Sequence, residues 1–180
     1  MWRPVFLAVL ALSSALAAQP AHRAQTLGVV RFETSCAKAA QPGFNRAVAL
    51  LHSFGFGDAA RAFSDVLATD STCVMAQWGL ALTAWGNPFA AGIKPEAQLA
   101  RGLAAVERGR AMRGGTARER AYLDAAGRLY DDYQHIDQPT RLLAYRDAMA
   151  KVAAQYPRDD EASIFYAAAL AFSADPNDKT

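Results

Sequence analysis

Cysteine is scarce in this chain of 180 residues: only Cys36 and Cys73 are present. Their wide separation excludes a Cys-x-x-Cys redox pair and the closely spaced thiolates of a zinc site. An excess of one charge is also missing. The formal net charge is +2, and acidic and basic residues are mixed along the chain, so nothing forms the basic stripe that nucleic acid requires. No apolar run reaches the roughly 20 residues needed to span a bilayer, which excludes a stable membrane anchor. β-Branched residues are sparse, and no stretch alternates apolar and polar positions as a half-buried strand would. Absent too are a phosphate-binding glycine loop, a Cys-x-x-Cys-His haem site, a nucleophile elbow and a zinc-protease helix. The chain therefore offers no residue on which to found an enzymatic reading, and no cofactor is expected.

What is present begins with a secretory signature. Arg3 precedes an uncharged run from Val5 to Leu12, and Ala15 and Ala17 supply an Ala-x-Ala cleavage site. The expected division is a signal peptide over 1–17, an extended segment over 18–41 and a helical domain over 42–180. Export to the periplasm or beyond places the cysteines in an oxidising compartment. There they either close a disulfide, worth roughly 4 kcal/mol for a loop of this length, or remain two separate buried thiols.

Alanine is abundant and the apolar spacing is helical, which predicts an all-α fold of about seven helices. Phe44, Val48 and Leu51 mark the first helix, opened by Pro42 and carried to Phe54. Ala59, Phe63 and Val66 mark the second, with Asp58 as its expected cap. Asp70-Ser71-Thr72 stops it and caps a third helix running from Val74 to Trp85. Pro95 begins a fourth, terminated by Gly114-Gly115. Thr116 and Glu119 form a capping-box pattern before a fifth stripe, Tyr122 to Tyr133. Leu142, Tyr145, Met149, Val152 and Tyr156 define a sixth helix, broken by Pro157. The seventh, from about Asp160 to Ser173, is apolar on nearly every side. Such a helix requires neighbours all round, so the chain is expected to be the N-terminal part of a longer array and to expose apolar surface on this last helix.

Internal repetition carries the family resemblance. Residues 56–71 place an aromatic at Phe56, a small residue at Ala59, Phe63 four residues on and Val66 seven on, then Asp70-Ser71. Ala81 follows Ala47 after the tetratricopeptide period of about 34 residues. Tyr145, Met149, Val152 and Pro157 echo the same spacing. On these residues the chain resembles the tetratricopeptide repeat family, well over 43–85, fairly over 139–173 and weakly between. It departs from the pattern at Gly43 and Gln77, where the family favours tryptophan. The segments Leu50 to Phe54 and Met75 to Ala81 are also similar to exported bacterial repeat proteins that have no assigned activity.

The resemblance implies a solenoid of helical hairpins whose concave face binds a protein or peptide. Carried over by position, that face comprises Phe44, Val48, Leu51 and His52 of the first repeat and Met75, Trp78, Leu82 and Trp85 of the second. It is apolar and aromatic, which suits a hydrophobic peptide or helix better than an acidic tail. The repeat also sets Cys36 and Cys73 at one edge of adjacent helices, favouring a disulfide. Two other readings compete with this one: catalysis in a region beyond Thr180, and a metal or small-molecule site at His52 or His135. Neither these histidines nor His22 has a second ligand at helical spacing. The neighbouring carboxylates Asp131 and Asp132 diverge around a helix and cannot share a proton.

Overall fold

The computed structural model describes residues 27–90 and 92–174. Among the described residues seven helices follow one another: α1 (Gln41–His52), α2 (Phe56–Thr69), α3 (Val74–Trp85), α4 (Glu96–Ala111), α5 (Ala117–Gly127), α6 (Gln138–Gln155) and α7 (Asp160–Ser173). No strand occurs among the described residues. The segment expected to be a signal peptide, residues 1–17, lies outside them, as does His22. No helix described is long and apolar enough to cross a membrane.

Each helix packs against the next in sequence, and α3 sits centrally, touching α1, α2, α4 and α5. Small residues permit the close approaches. Ala47, Ala59 and Ala81 are fully buried, and a Cβ added to Gly79 of α3 would lie 2.3 Å from the Phe63 ring of α2. Proline and capping chemistry set several helix starts. Pro42 and Pro139 occupy the first turns of α1 and α6, where their missing N–H is no loss. Thr116 and Glu119 form the expected capping box on α5. The final helix exposes Ile164 and Leu170, as its composition predicts.

Three local expectations are corrected. α2 starts at Phe56 behind Gly55, so Asp58 lies within the first turn instead of capping it. There it still favours the positive helix end and pairs with Arg61. α3 starts without a side-chain cap, because Asp70 is engaged elsewhere, accepting from the Ala37 and Thr72 N–H groups at 2.7 and 2.9 Å. The fifth helix stops at Gly127, six residues short of Tyr133. Arg141 reaches back from α6 to the carbonyls of Leu129 and Ile136 and so stabilises a run of turns. Those turns drive the Tyr130 side chain inward, where its hydroxyl donates to the Ala81 carbonyl at 2.6 Å.

Residues 27–36 form an extended strap across the inner side of the helices. Phe32 is its anchor, 1% exposed, with ring centroids 5.7 Å from Phe44, 5.8 Å from Trp78 and 5.2 Å from Tyr122. Polar side chains satisfy the strap's backbone. Gln41 donates to the Phe32 carbonyl at 2.8 Å and accepts from the Thr34 N–H at 3.0 Å, while Arg118 donates to the Glu33 carbonyl. Glu119 accepts from both the N–H and the hydroxyl of Ser35 at 2.6 Å. The strap ends in the disulfide Cys36–Cys73, with a Cα separation of 4.8 Å.

Glu119 thus serves its own helix and the strap together. Burial alone would push its carboxyl up, but the hydrogen bonds from Ser35 and Thr116 prevail and hold it below the ordinary carboxylate range. The Thr72 hydroxyl and Ala37 N–H do the same for Asp70, and the Thr140 N–H for Asp137. A depressed folded-state pKa stabilises the fold above the ordinary value and loses that contribution as protons bind on acidification. Urea midpoints are therefore expected to hold steady from neutrality downward and to fall once the pH drops below about 4.5. Glu119→Gln should start lower and fall less steeply. A variant whose acid profile parallels the parent's would remove Glu119 from this role.

Candidate binding cavity

Four of the eight positions assigned to the concave face do not reach solvent. Phe44, Val48, Met75 and Trp78 are 0% exposed. For Trp78 this matches the other reading of the sequence, in which Trp78 and Trp85 pack against neighbouring helices instead of lining a groove. Phe32 of the strap covers Phe44 and Trp78 from one side, and Phe165 of α7 closes on Trp78 from another, with ring centroids 5.0 Å apart. The inner face is thus largely filled by the chain itself.

The other four, Leu51, His52, Leu82 and Trp85, come together at the C-terminal ends of α1 and α3, where they line a cavity of about 180 Å³. Opposite them stand Phe165 and Phe172 of α7 and Tyr145 of α6. Phe54 and Phe89, 50% and 57% exposed, are at its mouth. Phe54 takes a positive φ of 59° just beyond α1, which turns the chain sharply there. The rings contact one another: Phe54 with Phe89 at 6.2 Å, Phe89 with Phe172 at 6.2 Å, and Phe172 stacked on Tyr145 at 5.8 Å. Burial pushes the Tyr145 hydroxyl above the ordinary tyrosine range, so it stays a neutral phenol.

Polar groups around the cavity are few. His52 stacks on Phe165 at 5.1 Å, and its Nε2 pairs with Glu161 of α7 at 2.8 Å, tying the end of α1 to the start of α7. His135 lies apart, in the turns after α5, bonded to Asp132 at 2.7 Å. Asp131 pairs separately with Arg128, so the two neighbouring carboxylates have different partners. Among the described residues no three His, Cys, Asp or Glu side chains converge as a metal site would demand.

Trp85 is the most informative wall residue. It is 3% exposed, and its indole N–H is buried without a hydrogen-bond partner among the described residues, as is that of Trp78. A buried donor left unpaired costs about 1–3 kcal/mol. The Trp85 ring is held firmly, with Lys94 Nζ 5.6 Å and Arg141 Cζ 5.9 Å from its centroid and the Tyr130 ring at 5.9 Å. Both cations are desolvated, which lowers their pKa values, and both are anchored by carbonyls: Asn87 for Lys94, Leu129 and Ile136 for Arg141.

Of the residues lining this cavity, Leu51, His52, Leu82 and Trp85 are among those the sequence reading assigned to the concave face, whereas Phe165, Phe172, Tyr145 and Phe89 are not. The apolar character of α7 on all sides was the available signal, since such a helix must bury more than one face. No family model, curated protein or solved structure matches the chain.

Proposed function

We propose that this chain is an exported, non-catalytic binding module built from helical hairpins of the tetratricopeptide kind, and that it holds an apolar segment of a partner protein at the aromatic cavity. The observation that carries this reading is the cavity itself: a ring-lined concavity at the ends of α1 and α3, with two half-exposed phenylalanines at its mouth. Exposed aromatic clusters of this sort mark interaction sites. Support for the repeat comes from the order of packing, each helix on its successor and α1, α3 and α5 side by side, together with buried alanine at the crossings. The disulfide fits an oxidising compartment, as export would supply.

The reading is tested by selecting displayed peptides on the folded protein. Selected sequences are expected to centre on an aromatic residue flanked by apolar ones. The double variant Phe54→Ser/Phe89→Ser, changed only at exposed positions, should weaken their binding by about tenfold, the loss of a hot-spot contact, with no fall in melting temperature. Selection of acidic carboxyl tails, or binding indifferent to both phenylalanines, would reject the proposal.

A further inference from the structure

We infer that the cavity admits one aromatic ring bearing a hydrogen-bond donor, the side chain of a tyrosine on the partner segment, and that its hydroxyl donates to Nδ1 of His52. This rests on the cavity being the binding site and names the side chain it selects. Size comes first. An apolar cavity of about 150 Å³ in another protein stays dry and takes up benzene, so one of about 180 Å³ matches a single substituted ring. Leu51, Leu82, Phe165 and Phe172 provide walls for such a ring to pack against.

Polarity comes second and is an independent observation. The His52 side chain lines the cavity and is 29% exposed, so a guest reaches it. Its two ring nitrogens are not alike. Nε2 lies 2.8 Å from Glu161, which borders a neighbouring polar concavity with Arg158 and Asp160 and is no part of the cavity wall. A carboxylate offers lone pairs alone, so Nε2 carries the proton. Nδ1 of the neutral ring is then a bare acceptor. It has no hydrogen-bond partner among the described residues. The unpartnered polar side-chain atoms sealed from solvent there are the indole nitrogens of Trp78 and Trp85, so Nδ1 keeps accessible surface. Stacking on Phe165 at 5.1 Å sets the plane of the ring, and the Glu161 bond sets its direction within that plane. His52 thus spends Nε2 on α7 and leaves Nδ1 for the cavity's guest. A hydroxyl on the guest satisfies that lone pair, whereas a phenylalanine ring would strip it of water and give nothing back.

Two near-isosteric probes separate ring from donor: p-cresol, which is the tyrosine side chain, and p-xylene, with a methyl group in place of the hydroxyl. Titrations are run at about pH 8, where an ordinary histidine is neutral. His52→Phe should lower p-cresol affinity about tenfold, the effect of one hydrogen bond in a desolvated site. It should leave p-xylene binding within about twofold, because a stacked ring is kept. In ¹⁵N spectra of the wild type, p-cresol should move the bare Nδ1 resonance of His52 upfield, and p-xylene should not. That shift decides the matter if His52→Phe fails to fold. Ala168→Phe, which leaves His52 untouched and fills the cavity from α7, should abolish binding of both probes. The peptide selection distinguishes the source: tyrosine is expected at the centre of the selected sequences. Binding of p-cresol with phenylalanine at that centre would make the guest a free phenol and overturn the assignment to a partner's side chain. Equal changes for the two probes in His52→Phe, with an unmoved Nδ1, would overturn the inference and leave the binding-module reading standing. Binding of neither probe, or undiminished binding by Ala168→Phe, overturns it too, and the peptide selection then judges the module reading separately.

Discussion

Trp78→Ala is expected to lower the unfolding free energy by about 4 kcal/mol, within the range for emptying a buried aromatic site. The side chain is fully buried and is the hub at which four rings meet: Phe32 from the strap, Phe63 from α2, Tyr122 from α5 and Phe165 from α7. Those rings come from four parts of the chain, and one collapse cannot close the void on all of them. In a domain of this size the loss corresponds to a fall in melting temperature on the order of 10 °C. Trp78→Phe makes the informative comparison. It retains most of the packing and removes the unpaired indole N–H, so the two effects oppose each other and the net change should stay under about 1.5 kcal/mol. Urea unfolding followed by circular dichroism measures both. A loss under about 1 kcal/mol for Trp78→Ala would mean that the four-ring hub does not hold the elements together.

The second large effect belongs to the cross-link. The double variant Cys36→Ala/Cys73→Ala should be destabilised by roughly 4 kcal/mol, the chain-entropy value for a loop of 37 residues. Its structural consequence is local first. Without the disulfide, the strap is held by Phe32, the Ser35–Glu119 bonds and the Ala37–Asp70 bond. Amide exchange over Leu27–Ala40 is expected to accelerate well before exchange in α3 does, since strap opening becomes a sub-global event. Unchanged stability and unchanged exchange in the double variant would show that the hydrogen bonds and Phe32 suffice alone.

Much of the architecture was legible in the sequence because its determinants are local. The capping box at Thr116 and Glu119, the proline at the start of α1, and the apolar stripe through Tyr145, Met149 and Val152 each depend on residues within a few turns. Helix five was overextended for the opposite reason. Its end is stabilised by Arg141, whose reach back to Leu129 cannot be read from the spacing of Tyr122 to Tyr133. The extended character of the strap was expected but its packing onto the helices was not, because its anchor, Phe32, belongs to no periodic stripe. Its value lies in rings contributed by α1, α3 and α5.

The same distinction explains the site. Assigning Phe44 and Trp78 to an open groove follows correctly from the helical face they occupy. The strap and α7 then fill that face, and neither filling leaves a mark on α1 or α3 themselves. Leu51, His52, Leu82 and Trp85 stay at the cavity because they lie near the helix ends, past the reach of Phe32. The unpaired indole of Trp85 could not have been anticipated from sequence, since an unmet donor is a property of its surroundings.

Hydrogen exchange in the presence of a saturating selected peptide tests the central claim most directly. Protection is predicted at Leu51–Phe56, Leu82–Phe89 and Phe165–Phe172, segments that line the cavity, with α4 and the rest of α2 beyond Phe56 unchanged. Protection confined to α2 and α4, or faster exchange across the strap as the peptide displaces it from Trp78, would contradict the account.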